Sequence, residues 1–202
     1  MMLQHEQSKQ FSETGYTIVK RILDQNTTDI VSKYLENRIN QTDLAAVRTS
    51  KYGWDIKQNT TISSFACYGD PLIEVLMLQL KPVVENIVKK ELLPTYTYSR
   101  IYTSGSDDVL QEHTDRPSCE YSVTINIATT GSPNSIIMNS TEWFLEPGDG
   151  VIYLGCEIPH ARKPLRDTGT DTIVQIMLHY VDKNGINSDY KYDKRNRVGY
   201  GS

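Results

Sequence analysis

Glu120-Tyr121-Ser122-Val123-Thr124-Ile125-Asn126-Ile127-Ala128 alternates without interruption, with Tyr121, Val123, Ile125 and Ile127 on one side and Ser122, Thr124 and Asn126 on the other. Successive side chains of a β-strand point to opposite faces, so this stretch reads as a strand that separates a packed core from a wet pocket. The same period of two appears at 95–103, where Tyr96, Tyr98, Arg100 and Tyr102 share one face and Thr97, Ser99 and Ile101 the other. Residues 109–115, 135–138, 141–145, 150–155 and 171–181 read as further strands. They are separated by turns at 104–108, at 129–134 and at Pro147-Gly148-Asp149-Gly150.

Upstream of residue 94 the period lengthens. Asp24-Gln25-Asn26 offers caps for a helix to Asn40, with Ile30, Val31, Tyr34, Leu35 and Ile39 on one stripe. Asp70-Pro71 opens a second helix of about five turns, carrying Leu72, Val75, Leu76, Leu78, Leu80, Val83, Val84, Ile87 and Val88. Residues 15–23 follow a glycine and are β-branched, which predicts a strand. Residues 1–14 read as a polar arm with room for a short helical piece. Residues 47–49 and 60–64 could be short strands, and Trp54 a core anchor or a pocket wall. The fold class expected is mainly β with flanking α. Two helices followed by seven or eight antiparallel strands imply a jelly roll with helices on its outer face, closed so that no long strand edge is left bare. One domain spans 1–202: an arm, a strand and two supporting helices over 1–93, the jelly-roll core over 94–182, and a polar tail over 183–202.

Composition narrows the function classes. A net charge of −4 over 202 residues, with no dense basic run, argues against a nucleic-acid footprint. Cys67, Cys119 and Cys156 are odd in number and scattered, as expected for reduced thiols. The opening Met-Met-Leu-Gln-His-Glu-Gln lacks the features of a signal peptide, and no apolar run is long enough to span a membrane. The expectation is a cytoplasmic protein.

Chemistry concentrates in Glu112-His113-Thr114-Asp115-Arg116-Pro117 and in Pro159-His160-Ala161-Arg162. On a strand, His113 and Asp115 would share a face, and His160 from a later strand would complete two imidazoles and one carboxylate. That set binds Fe(II) and leaves coordination positions open for co-substrates. Zinc is the alternative ion, although it favours a third nitrogen or sulfur donor. Only four histidines occur in the chain, and His5 lies in the arm.

Together with Tyr98–Tyr102, Gly105, Leu110, Pro147-Gly148-Asp149, Tyr153 and Arg162, these residues resemble the Fe(II)/2-oxoglutarate-dependent dioxygenase superfamily. Within it, the similarity is to the prolyl-hydroxylase-like branch and its bacterial and phage relatives, over residues 94–182. The resemblance implies a double-stranded β-helix, Fe(II) on His113, Asp115 and His160, and 2-oxoglutarate and dioxygen as co-substrates, with ascorbate as a possible reductant. It implies hydroxylation of a peptide or small-molecule substrate with release of succinate and CO2. A peptidyl proline is favoured over a free amino acid or other small metabolite, and a phage protein would act in the host cytoplasm. Relatives place an Arg or Lys nine to eleven residues after the distal histidine to hold the far carboxylate of 2-oxoglutarate. Here Gly169, Thr170 and Asp171 stand there. Arg162 is the leading substitute, followed by Arg166 and Lys163, with Arg100 a further candidate. Tyr102 matches a tyrosine that relatives use on the same carboxylate. Thr124, Asn126 and Gln175 could line the pocket, Arg116 could meet a substrate, and His179 reads as structural. Two alternatives remain open: a metal-dependent jelly-roll isomerase or hydrolase, and a non-catalytic metal-binding module. Oligomeric state is left open.

Overall fold

The computed structural model describes residues 2–40, 65–104, 110–165 and 171–199. The possible strands at 47–49 and 60–64, Trp54, Gly105 and Arg166 lie outside the described residues.

Among the described residues, every strand pairing is antiparallel. Strands β1 (Tyr16–Val19), β2 (Phe65–Tyr68), β3 (Leu92–Thr103), β5 (Tyr121–Thr130), β8 (Gly150–Leu154) and β10 (Thr172–Asp182) form a six-stranded sheet in the order β1-β8-β5-β10-β3-β2. Strands β4 (Leu110–His113), β6 (Ser135–Met138), β7 (Thr141–Phe144) and β9 (His160–Arg162) form a second sheet in the order β4-β9-β6-β7. This is the two-sheet jelly roll expected from the alternating pattern, with the double-stranded β-helix arrangement.

The helices α1 (Met2–Thr14), α2 (Gln25–Asn40) and α3 (Pro71–Val88) cover the outer face of the larger sheet. Val31 and Leu35 of α2 and Ile73, Met77, Val84 and Ile87 of α3 pack there against Val123, Ile125, Ile127, Ile176 and Leu178. Burial of this apolar surface is the main force fixing the helices to the sheet. Helix α3 starts where Pro71 follows Asp70, whose carboxylate accepts from the Leu72 and Ile73 amides at 2.9 and 3.3 Å. A smaller cluster, including Ile136, Met138, Leu145, Val151 and Tyr153, fills the space between the two sheets.

Several expectations are corrected. Residues 2–14 form a helix rather than an arm; Phe11 is buried in the core and Ser8 donates to the Ile87 carbonyl at 2.8 Å. Strand β1 stops at Val19, because Lys20 and Arg21 turn toward Asp149, which accepts from both. Leu76, Leu80, Val84, Ile87 and Val88 are buried on α3 as expected, but Ile73 and Met77 join that row, while Val75 and Leu78, like Ile30 of α2, are exposed. The polar segment after β10 is pinned to the body. Arg195 pairs with the buried carboxylate of Glu74, and Tyr68 donates to Asp193 at 2.6 Å. Among the described residues, no helix is long and apolar enough to cross a membrane.

Candidate metal centre

Strand register decides which side chains enter the space between the sheets. Directly opposed residues of an antiparallel pair share a face. Ser122 pairs with both Tyr153 and His179, Thr124 with Val151 and Met177, Asn126 with Gln175, and Gln175 in turn with Arg100. The polar face of β5 and the tyrosine face of β3 therefore look inward, toward the second sheet.

On that second sheet, β4 and β9 set His113 opposite His160, with a bulge between Leu110 and His113. Such an irregularity re-aims side chains. The two imidazole rings are 4.4 Å apart. Asp115 lies two residues past the end of β4, so the shared-face spacing expected of a strand does not bring it in. Its amide donates to the Gly155 carbonyl at 2.7 Å, which draws it toward the loop after β8. Asp115 Oδ1 ends 3.6 Å from His113 Nε2 and 3.5 Å from His160 Nε2. The three residues offer ligand atoms all within 4.8 Å of one another.

The hydrogen bonds suit a metal. His113 Nδ1 donates to the Gln111 carbonyl at 2.8 Å and His160 Nδ1 to the Ile158 carbonyl at 3.0 Å. Each bond fixes the proton on Nδ1 and turns the Nε2 lone pair inward, as metal-binding histidines require. His160 is buried against the Tyr153 ring, centroids 4.8 Å apart, whereas His113 sits at the rim. Burial acts to raise the Asp115 carboxyl. The hydrogen bond with His160, the His179 and His160 rings and the Ser122 hydroxyl outweigh it and hold the group below the ordinary carboxylate range.

Gly155 is required by this packing. A Cβ there would overlap the Cys119 carbonyl oxygen and come within 2.7 Å of Asp115 Oδ2 and 2.8 Å of Ser122 Oγ. Gly155→Ala is expected to displace Asp115 and weaken Mn²⁺ binding by roughly 10–100-fold, as read by metal titration.

A second group of inward residues surrounds Arg162. Its guanidinium is buried, donates through Nη1 to Asn134 Oδ1 at 2.6 Å and to the Ser135 carbonyl at 2.5 Å, and faces the Tyr102 ring at 5.0 Å. Arg100 faces the same ring at 4.6 Å. Its partners among the described residues are Asn134, the Ser135 carbonyl and Tyr102, with no carboxylate, and burial lowers its pKa. Arg162 Nε and Nη2, Asn134 Nδ2 and Gln175 Nε2 are buried donors without an acceptor. Unmatched buried donors are costly, and four of them suit an acceptor-rich ligand such as a carboxylate.

The remaining sequence candidates divide. Thr124 Oγ1 lies inward, 3.3 Å from the Tyr153 hydroxyl. Asn126 faces inward but gives its amide to the Leu145 carbonyl at 2.8 Å and to Thr129 at 3.0 Å, which ties strands together instead of leaving it for a ligand. Lys163 points outward and pairs with Glu142 at 2.8 Å, so it does not reach the pocket. Arg116 bonds Asp193 at 2.8 Å and lies over the Tyr96 ring at 4.6 Å; it closes the C-terminal segment against the site. Sequence reasoning missed Gly155 and Asn134, which sit in connections with no periodic signal. It also passed over Ser122, although its place on the inward face of β5 was readable.

His179 is buried, and burial lowers its pKa to about 4. The unfolded chain therefore takes up a proton between the ordinary 6.5 and about 4 that the native state refuses, so stability falls on acidification through that window. The metal-free protein is expected to lose about 2 kcal/mol between pH 7 and pH 5 from this residue, and His179→Asn to remove that part of the slope in urea titrations.

No protein-family model matches this sequence, and no curated protein matches it. Solved structures do. The α-ketoglutarate-dependent carbocyclase SnoK from nogalamycin biosynthesis superposes with a TM-score of 0.70 at 11% identity, over 88% of this chain and 83% of that one. A Pseudomonas putida prolyl-4-hydroxylase gives 0.63 at 14%, over 87% and 97%. A Trichoplax adhaerens prolyl hydroxylase in complex with a hypoxia-inducible-factor peptide gives 0.64 at 14%, over 90% of each. The fold of this chain is that of the Fe(II)/2-oxoglutarate-dependent oxygenases, prolyl hydroxylases among them.

Proposed function

We propose that this protein is a non-haem Fe(II)- and 2-oxoglutarate-dependent dioxygenase that hydroxylates a peptidyl proline or a small amino-acid-like substrate. The observation that carries the reading is the convergence of His113, Asp115 and His160 beside the buried Arg162, which has no acidic partner among the described residues. His113 Nε2, His160 Nε2 and Asp115 Oδ1 would hold the iron. Arg162 and Tyr102, with Gln175 and Asn134 as further donors, would take the far carboxylate of 2-oxoglutarate. When bound, the metal and co-substrate would supply oxidative decarboxylation to succinate and CO2 and oxygen insertion into a substrate C–H bond.

The chain's own part is orientation and shielding. The Nδ1 bonds leave both Nε2 atoms free to take the metal, and Tyr153 packs on His160 and shields that side. Arg162 would hold 2-oxoglutarate in one orientation through charge-assisted bonds that a lysine could not form in the same planar fork. This reading favours the dioxygenase over a metal-dependent isomerase or hydrolase, which has no need for a buried carboxylate receptor. Peptide and small-molecule substrates both occur among the similar structures, which include the complex with a peptide and the carbocyclase. Cys67, Cys119 and Cys156 are all free thiols, in keeping with action in the cytoplasm.

The test is succinate formation from 2-oxoglutarate with Fe(II), dioxygen and ascorbate, in the presence of proline-containing peptides or free amino acids. Succinate that depends on iron and rises with one substrate class supports the proposal and chooses the class. No succinate from iron-loaded protein, with or without these substrates, would reject it.

A further inference from the structure

The two oxygens of Asp115 have different surroundings. Oδ1 faces His113 Nε2 and His160 Nε2, while Oδ2 accepts from Ser122 Oγ at 3.0 Å. Ser122 Oγ is in turn 2.9 Å from His179 Nδ1 and 3.2 Å from the Cys119 carbonyl. Ser122 has a single hydroxyl hydrogen. The carboxylate and the carbonyl can only accept, so when Ser122 donates to Asp115 the histidine must supply the Nδ1–H that completes the hydroxyl. The order of donation is then His179 to Ser122 to Asp115.

His179 is held on its other side. Its ring lies 4.6 Å from the Tyr96 ring, and the Tyr96 hydroxyl is 3.1 Å from Cys119 Sγ. Ser122 and His179 are both buried and lie opposite each other on β5 and β10, so the donor chain is built into the rigid sheet, not into a loop. Asp115, by contrast, sits on an irregular segment beyond the end of β4.

We infer that Ser122 and His179 are positioning residues that lock Asp115 Oδ2, so that the carboxylate presents Oδ1 alone to the metal and binds through one oxygen. The inference rests on the ligand assignment proposed above and deepens it. A carboxylate free to rotate could chelate through both oxygens and close a coordination position that the co-substrates need. A chain of donors ending on an anion also strengthens each bond in it. Asp115, Cys119 and His179 could instead be read as a second metal site. The Ser122 hydroxyl already bridges His179 and Asp115, and Cys119 Sγ is engaged by the Tyr96 hydroxyl at 3.1 Å, so that cluster serves the first site.

The experiment titrates Mn²⁺ into wild type and the variants Ser122→Ala, His179→Leu and His179→Asn, read by electron paramagnetic resonance, with urea unfolding of the metal-free proteins alongside. Asparagine places an amide N–H where the Nδ1–H of histidine lies; leucine does not. Ser122→Ala and His179→Leu are expected to weaken Mn²⁺ binding roughly 10–100-fold and to change the bound-ion spectrum, with His179→Asn within a few-fold of wild type. Folded Ser122→Ala and His179→Leu proteins that bind Mn²⁺ like wild type would overturn the relay while leaving the ligand assignment intact. Equal losses in His179→Leu and His179→Asn would also overturn it, since they would reflect packing alone. If wild type itself takes up no Mn²⁺, the ligand assignment fails and the relay with it.

Discussion

Replacing His113 by alanine is expected to abolish 2-oxoglutarate turnover, by at least about 10³-fold, with the folding stability changed by no more than about 0.5 kcal/mol. The contrast follows from where the residue sits. Its side chain is 40% exposed at the rim, so its removal opens no cavity in the core. Its hydrogen bond is to the Gln111 carbonyl, two residues away on its own strand, so no distant element depends on it. What is lost is one of three ligand atoms, and two ligands hold a divalent ion far more weakly than three. Steady-state succinate release and urea unfolding of the same preparation check both halves. His160→Ala would lose the same activity but also stability, because His160 is only 3% exposed and packs on Tyr153.

Arg162→Met is expected to separate stability from function in the opposite direction. In the folded protein the guanidinium is 4% exposed, has no acidic partner among the described residues and keeps Nε and Nη2 unmatched. Replacing such a group with an apolar side chain of similar length is commonly neutral or stabilising by about 1–4 kcal/mol. The bonds to Asn134 and the Ser135 carbonyl are lost, which offsets part of that gain. The metal- and ligand-free variant should therefore melt at the wild-type temperature or above it. Its apparent Kd for 2-oxoglutarate should rise about 100-fold, the effect of losing a paired, charge-assisted contact worth roughly 3 kcal/mol. Thermal melts with and without 2-oxoglutarate measure both: wild type should be stabilised by the co-substrate and the variant should not. A variant less stable than wild type without ligand and equally responsive to 2-oxoglutarate would make Arg162 a structural residue.

Much of this was legible in the sequence because strands declare themselves by alternation. Periodicity alone separates the two faces of 95–103 and of 120–128, and the register then puts Arg100, Gln175 and Asn126 in one cross-strand row, with Tyr102 and Thr124 on the same faces of their strands. Asp70-Pro71 marked the start of α3 because a capping carboxylate and a fixed proline φ leave little choice. Other features left no local trace. Asp115 reaches His160 by a loop bond to Gly155, which no spacing rule contains. Helix α1 has a weak apolar stripe and is held by tertiary contacts of Phe11 and Ser8, so its sequence looked like an arm. Asn126 shows the limit of reading a face: the strand pattern turned it inward, but only the structure shows its amide bonded to Leu145. The C-terminal segment had no apolar period because it is held by polar bonds, with Arg195 on Glu74 and Asp193 on Tyr68 and Arg116.

The placement of metal and co-substrate is tested most directly by anaerobic titration of Fe(II)-loaded protein with 2-oxoglutarate, followed by visible absorbance. Chelation of iron by the co-substrate at an open three-ligand site should produce a weak charge-transfer band that saturates with 2-oxoglutarate. The band should be absent in His113→Ala and need much more 2-oxoglutarate in Arg162→Met. Wild-type protein that holds one equivalent of iron and shows no band at any 2-oxoglutarate concentration would contradict the assignment and favour a metal-dependent isomerase, hydrolase or binding module on the same fold.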